Sequence, residues 1–252
     1  MASNIVFCPS MSRFRELANL LAPGIVKEAY HWLRSPAAYR DELEFRRLKR
    51  APRRVPTTMR LDGRQIAVTD GPSAAVAAEA IFGPRQAFRF ETDRANPLIY
   101  DCGANVGVSV LYWKKLFPHS RVVAFEPDPQ AFACLRANCA AYPDIELHAA
   151  AVWTVQASMT FASNGADGGC LAIYNRPDDA VATPTVPTIR LRDILTEPID
   201  LLKMDIEGAE VDVLVDCADR LCQVQRLFVE RSEEHTSELQ SRQYLVCRLL
   251  LE

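Results

Sequence analysis

The chain has 252 residues, of which 49% are hydrophobic and 24% charged, with a formal net charge of −3, the profile of a soluble globular protein of one or two domains. That balance gives no nucleic-acid signal, no uninterrupted apolar run approaches the roughly 18 residues of a membrane span, and the eight cysteines show neither a CxxC pair nor a metal-ligand spacing, so no metal is expected. The start lacks the basic, apolar and small-residue pattern of a secretory leader, so the expected location is cytoplasmic, with Cys102, Cys134, Cys139, Cys217 and Cys222 reduced and buried as small hydrophobes.

In chain order, residues 11–34 predict two short amphipathic helices broken at Pro23-Gly24, with Leu17, Leu20 and Leu21 on one face. Residues 40–54 carry seven basic against three acidic side chains. This run is either a solvated helix face and linker or, with residues 11–39, a peripheral membrane contact. Residues 1–56 are therefore expected to form an N-terminal helical extension and basic linker. A hairpin is expected over 59–69 about Asp62-Gly63, a helix over 72–82 ending before Gly83-Pro84, and a short strand at 87–90. Residues 57–96 would form this hairpin-and-helix segment ahead of the main domain.

From Pro97 to Glu230 strands and helices alternate. Strands are predicted at 98–101, 121–125, 145–149, 200–204 and 226–230, and helices at 106–117, 128–141 and 208–221. Additional strands fit 158–163 and 185–191. Repeated strand–helix units predict an α/β fold with a doubly wound, mostly parallel sheet.

The chemistry concentrates in Asp101-Cys102-Gly103-Ala104-Asn105-Val106-Gly107. Gly103 lets the backbone turn sharply after its strand, and Gly107 lets the next helix approach the sheet. Glu126 follows about twenty residues later, the spacing at which an acidic side chain meets ribose hydroxyls. Asp101 beside the loop is an awkward neighbour for a pyrophosphate and suits a cationic group. Two acidic groups about a short glycine loop favour a positively charged nucleoside such as S-adenosylmethionine.

The stretches DCGANVGVSVLYWKKLFPHSRVVAFEPDPQAFACLRAN and IDLLKMDIEGAE resemble the FkbM family of S-adenosylmethionine-dependent methyltransferases, a likeness running from about Asp62 to Glu230. The resemblance implies a class I, Rossmann-like methyltransferase sheet and methyl transfer to a hydroxyl of a sugar, glycan or natural product. It also implies that Asp101, Gly103, Asn105 and Gly107 line the methionine end of the cofactor. Glu126 would bind the ribose, and Pro127 and Asp128 would border the adenine.

KMDIEGAE at 203–210 ends a parallel strand on the crevice side, so Asp205 is expected near the transferred methyl. Asp205 or Glu207 could accept the acceptor's proton or orient its hydroxyl; Glu207 could instead cap the following helix. His148, near the end of the third strand, reads as a core or surface histidine, with a base or acceptor-site residue as the alternative, and Asp193 reads as a helix cap.

The tail after Glu230 stands apart. RSEEHTSELQS at 231–241 is an in-frame translation of a widely used short-read sequencing adapter. Residues 244–251 translate the adapter's continuation after a variable index at Arg242 and Gln243. Residues 231–252 are therefore expected to be artefactual, the antiparallel C-terminal hairpin to be missing, and the strand at 226–230 to lie nearer an exposed edge.

The leading expectation is an O-methyltransferase with S-adenosylmethionine as cofactor and a small-molecule or glycan hydroxyl as acceptor. An NAD(P)-linked Rossmann oxidoreductase is the alternative, although Asn105 occupies the second glycine position of GxGxxG. A non-catalytic cofactor-binding protein is a third. The sequence leaves the oligomeric state and the identity of the acceptor open.

Overall fold

The computed structural model describes residues 36–166, 168–174, 182–231 and 243–247; the helices expected over 11–34 lie outside them. The chain divides into two units, Met1–Leu43 and Glu44–Glu252, and the sheets and the core belong to the second. Helix α1 (Pro36–Leu48) carries part of the basic run. Several of its charges, and those just beyond, are matched: Arg47 pairs with Glu44, Lys49 with Glu79 and Arg53 with Asp70.

Strands β1 (Thr57–Leu61) and β2 (Arg64–Val68) form the expected antiparallel hairpin. Asp62 and Gly63 both take left-handed backbone angles, as a two-residue hairpin turn requires. Period-two alternation buries Met59, Leu61, Ile66 and Val68 on one face. Helix α2 (Gly71–Phe82) starts at Asp70, whose side chain accepts from the Ser73 amide at 2.9 Å, a regular N-cap followed by Pro72 in the first turn. This segment shares one hydrophobic core with Ile99, Val110, Trp113, Leu201 and Phe228.

The strand expected at 87–90 is instead part of a pair of turns, closed by Gln86 N–H to Gly83 O and Arg89 N–H to Gln86 O, with Ala87 N–H tied back to Ala80 O. The alternating Phe88 and Phe90 are anchors rather than strand residues. Phe88 packs on Trp113 and Phe228, Phe90 packs on Phe117, and the Trp113 indole donates to Phe88 O at 3.1 Å.

The main domain then runs β3 (Leu98–Cys102), α3 (Val108–Leu116), β4 (Arg121–Phe125), α4 (Pro129–Cys139) and β5 (Ile145–His148). It continues with β6 (Ala151–Trp153), β7 (Ser158–Ala162), β8 (Cys170–Leu171), β9 (Thr185–Arg190) and the short α5 (Leu191–Ile194). It closes with β10 (Leu201–Met204), α6 (Glu210–Asp216), β11 (Leu227–Arg231) and β12 (Gln243–Cys247). Six strands form the central sheet in the order β12-β11-β10-β3-β4-β5, parallel except for β12, and β6-β9-β7-β8 form a second sheet. The α/β, mostly parallel architecture expected from the sequence is therefore present. Helices α3, α4 and α6 are shorter than their apolar patterns suggested; α6 stops at Asp216 and is followed by a 3₁₀ helix over Ala218–Gln223.

The tail strand β12 pairs antiparallel with β11, so the edge expected at residues 226–230 is covered by one antiparallel strand. Of the cysteines expected in the core, Cys102, Cys139 and Cys217 are buried, Cys134 is half-buried and Cys222 is exposed.

The sheet is buried on both faces, which is why β3 reads as an apolar run with every residue inaccessible. From β3 the chain winds outward through β4 to β5, then returns to lay β10 on the other side of β3. That reversal opens a crevice at the carboxyl ends of β3 and β10. At the opposite end, buried Asp200 accepts from Leu98 N–H at 2.9 Å, Thr92 Oγ at 2.9 Å and Arg94 Nη1 at 3.3 Å, fixing where β10 meets β3. Asp200→Ala leaves the buried Leu98 amide without its acceptor and should lower unfolding stability by ~2 kcal/mol or more in urea titration; a loss under about 0.5 kcal/mol would contradict this role.

Candidate functional site

A cleft with ≈ 1170 Å³ of empty space, open solvent included, lies at the carboxyl ends of β3, β4 and β10. Its lining includes Gly103, Asn105, Glu126, Pro127, Asp128, Asp205 and Glu207, so seven of the nine residues expected at the site meet there. Asp101 and Gly107 do not line it.

Gly103 sits at φ +83°, and a Cβ built on it would lie 1.8 Å from the Asp205 carbonyl oxygen. The turn after β3 therefore rests directly on the backbone after β10, and no other residue fits there. The Asp205 amide in turn donates to Cys102 O at 3.0 Å. Gly107, at φ +90°, caps α3. A Cβ there would meet Leu135 Cδ1 at 2.8 Å and Cys139 Sγ at 3.4 Å, so it allows close approach to α4 rather than to the sheet.

Asp101 lies beneath the loop, fully buried. It accepts from Ser109 Oγ, and its Oδ1 lies 3.1 Å from Lys203 Nζ. Lys203, also buried, donates to Gly103 O at 2.6 Å and approaches Asp205 Oδ2 at 3.5 Å. Burial alone would lower the lysine's proton affinity, but Asp101 and Asp205 hold it well above the ordinary range. Asp101 thus faces a fixed ammonium and not an open cationic subsite.

Glu126, at the end of β4, is buried but lines the cleft. Its two oxygens accept from Asn105 N–H and Asp128 N–H, each at 2.8 Å. Each oxygen keeps one lone pair for a further donor. Burial pushes the carboxyl up to about 7, against the two backbone bonds that lower it. Asp128 caps α4, accepting from the Gln130 and Ala131 amides, and also takes the Ser163 hydroxyl. Its carboxylate is therefore engaged by the protein itself.

Asp205 and Glu207 are half-buried on the loop after β10. Glu207 holds a left-handed φ of 53°, as Asn105 does at 48°, an uncommon conformation for residues other than glycine and one found at functional sites. Glu207 does not cap α6, whose start carries no side-chain cap; buried Glu210 instead ties down the loop before it, accepting from the Ile206 amide at 2.8 Å and the Gly208 amide at 2.9 Å. That leaves the Glu207 side chain at the cleft. His148 is outside the lining, stacked on Phe125 and 2.9 Å from Glu146. Asp193 lies within α5, whose start carries no side-chain cap.

Lys203, Ser163, Asn164 and Glu230 also line the cleft and were not singled out from the sequence. Lys203 had a readable signal: a lysine inside the apolar run LLKM must be paired if the strand is buried. On the β6–β8 side the wall is apolar, with Ala151, Val152, Phe161 and Leu171, and Ala131 of α4 adds to the lining. Among the described residues, the lining carries six carboxylates (Asp70, Glu126, Asp128, Asp205, Glu207 and Glu230) and one basic side chain, Lys203.

The family model described as the methyltransferase FkbM domain matches residues 101–251. The 31-O-demethyl-FK506 methyltransferase FkbM of Streptomyces tacrolimicus is 30% identical over 198 residues, covering 64% of this chain and 76% of that protein. The 2-O-methyltransferase NoeI of Sinorhizobium fredii (strain NBRC 101917 / NGR234) is 28% identical over 167 residues, with coverage of 58% and 68%. Methyltransferase 1 of Beauveria bassiana (strain ARSEF 2860) is 30% identical over 140 residues, with coverage of 46% and 56%; the match spans little more than half of that relative's length.

Two outcomes follow from this geometry. Gly103→Ala forces a Cβ into the Asp205 carbonyl and should cost more than ~2 kcal/mol of stability by thermal or urea unfolding; a wild-type melting curve would contradict the contact. Glu126 titrates near 7 in the fold against 4.5 when exposed. The folded state therefore binds the proton more tightly, its advantage is greatest at low pH, and it fades as pH rises towards 7, by ~3 kcal/mol in all. Urea titrations from about pH 4 to 7.5 should show wild type losing this increment relative to Glu126→Gln. A pH-independent difference between the two proteins would refute the assignment.

Proposed function

Because the chain belongs to the FkbM methyltransferase family, we propose that it is an S-adenosylmethionine-dependent O-methyltransferase acting on a hydroxyl of a sugar, glycan or natural product. The observation that carries this reading is the acidic lining of the cleft: beyond Asp70, which is matched by Arg53, it holds five carboxyl groups against one lysine whose ammonium is already shared among three oxygens. Such a lining favours a cationic ligand and opposes a pyrophosphate. The same argument disfavours the NAD(P) alternative, as does Asn105 in the loop.

The residues present fit the cofactor. The remaining lone pairs of Glu126 suit a ribose diol, and the apolar wall beside Pro127 suits a flat base. The Gly103 and Asn105 amides are already engaged by Phe125 O and Glu126, so the turn's contribution to the amino-acid end is the second lone pair of the Gly103 carbonyl, which already accepts from Lys203. When bound, S-adenosylmethionine supplies a methyl carbon activated by its sulfonium. Asp205 and Glu207 then orient an acceptor hydroxyl and take its proton, a task of positioning and general-base assistance. Their half-buried placement at the cleft favours a catalytic over a purely binding role.

Carboxyl and amine methylation would need different acceptor groups, and the names of two relatives, a 2-O-methyltransferase and a 31-O-demethyl-FK506 methyltransferase, support a hydroxyl oxygen as the methylated atom. The test is incubation with S-adenosylmethionine carrying a radiolabelled methyl and a pool of hydroxylated metabolites and glycans. The label should enter products as an alkali-stable ether, and Asp205→Asn should reduce incorporation at least ~100-fold if Asp205 is the base. Label in alkali-labile esters or in N-methyl groups would overturn the oxygen-ether reading.

A further inference from the structure

Lys203 is the one charged residue in the centre of β10, and the expected chemistry of the cleft makes no use of it. Its ammonium touches three groups from two strand ends. It donates to Gly103 O at 2.6 Å, lies 3.1 Å from Asp101 Oδ1 and approaches Asp205 Oδ2 at 3.5 Å. An aromatic face lies nearby, with Nζ 5.8 Å from the Phe88 ring centroid. Glu230 adds a further negative field from β11. Burying an ammonium is costly unless it is paired and hydrogen-bonded, and here its hydrogen bond and its two ion pairs go to the loop after β3, to the loop after β10 and to the carboxylate beneath them.

Resting on the cofactor assignment above, we infer that Lys203 is a positioning residue for the cofactor cleft: its charge draws the Gly103 turn and the Asp205 loop onto one point and so sets the shape of the methionine end. Packing does not explain this arrangement. The aliphatic stem alone would fill β10's place in the sheet, and the Gly103 carbonyl would then turn to another donor or to solvent. The lysine also offsets two of the carboxylates at a centre that otherwise carries only negative side chains, which keeps Asp101 and Asp205 close to each other without mutual repulsion.

The test compares wild type, Lys203→Met and the charge-matched double variant Lys203→Met/Asp101→Asn, using S-adenosylhomocysteine as the probe in calorimetry and thermal unfolding for stability. Lys203→Met keeps the stem but strands Asp101, so it should melt lower and bind the probe at least about tenfold more weakly. The double variant removes the stranded charge and should recover most of the melting temperature while binding as poorly as Lys203→Met. A purely structural lysine would recover both together, and that result overturns the inference. So does a folded Lys203→Met protein with wild-type affinity. If Lys203→Met does not fold, the double variant carries the same comparison, with wild-type affinity again decisive against the claim. A wild-type protein that fails to bind S-adenosylhomocysteine overturns the methyltransferase reading itself.

Discussion

The contact between Gly103 and the Asp205 carbonyl is the constraint on which the cleft depends. Two parallel strands, β3 and β10, end side by side only because the chain reverses its winding between them. Their exit loops then compete for the same space. A turn with φ near +83° and no side chain lets one loop lie on the backbone of the other. Everything polar at the site is referenced to that point. The Asp205 amide is tied to Cys102 O, Lys203 reaches the Gly103 carbonyl from below, and Asn105 is carried round to meet Glu126. Substituting the glycine would displace the strand ends themselves, not just one ligand contact.

The second organising feature is unbalanced charge. Interior carboxylates are usually paired or neutralised, and this cleft satisfies its acids in several ways. Asp128 is absorbed by the start of α4 and by Ser163. Glu210, just outside the lining, is absorbed by two loop amides. Glu126 is half absorbed, and its raised proton affinity records the incomplete compensation. Asp205 and Glu207 are half-buried in the lining, Asp205 within 3.5 Å of the Lys203 ammonium. A ligand bearing positive charge completes this arrangement, and one bearing a pyrophosphate opposes it.

Much of this was legible in the sequence, for identifiable reasons. LIYDCGANVG and AFEPD advertise strand ends because buried parallel strands must be apolar throughout and stop at polar loop residues. The positions of Gly103 and Glu126 followed from that pattern; Asn105 came with the family resemblance, and Glu207 with the strand end at KMDIEGAE. Asp101 was placed on the right strand but given the wrong surroundings, because its partner Lys203 lies a hundred residues away and only the β3–β10 pairing joins them. Gly107 was correctly identified as a close-approach residue, but which helix it approaches depends on the tertiary packing of α4. Ser163 and Asn164 could not be found, since they reach the cleft through a second sheet whose strands are short and irregularly spaced. At 87–90 the phenylalanine alternation mimicked a strand; the ring contacts to Trp113 and Phe117 that produce it are long-range.

The central claim is that this cleft is built for a cationic adenosine cofactor. Equilibrium calorimetry of the wild-type chain against S-adenosylmethionine, S-adenosylhomocysteine and NAD tests it most directly, with Glu126→Ala as the internal control. The account predicts saturable binding of both S-adenosyl compounds, no binding of NAD, and a loss of at least about tenfold in affinity for the S-adenosyl compounds in Glu126→Ala. Binding of NAD without either S-adenosyl compound, or S-adenosyl affinity untouched by Glu126→Ala, would contradict it.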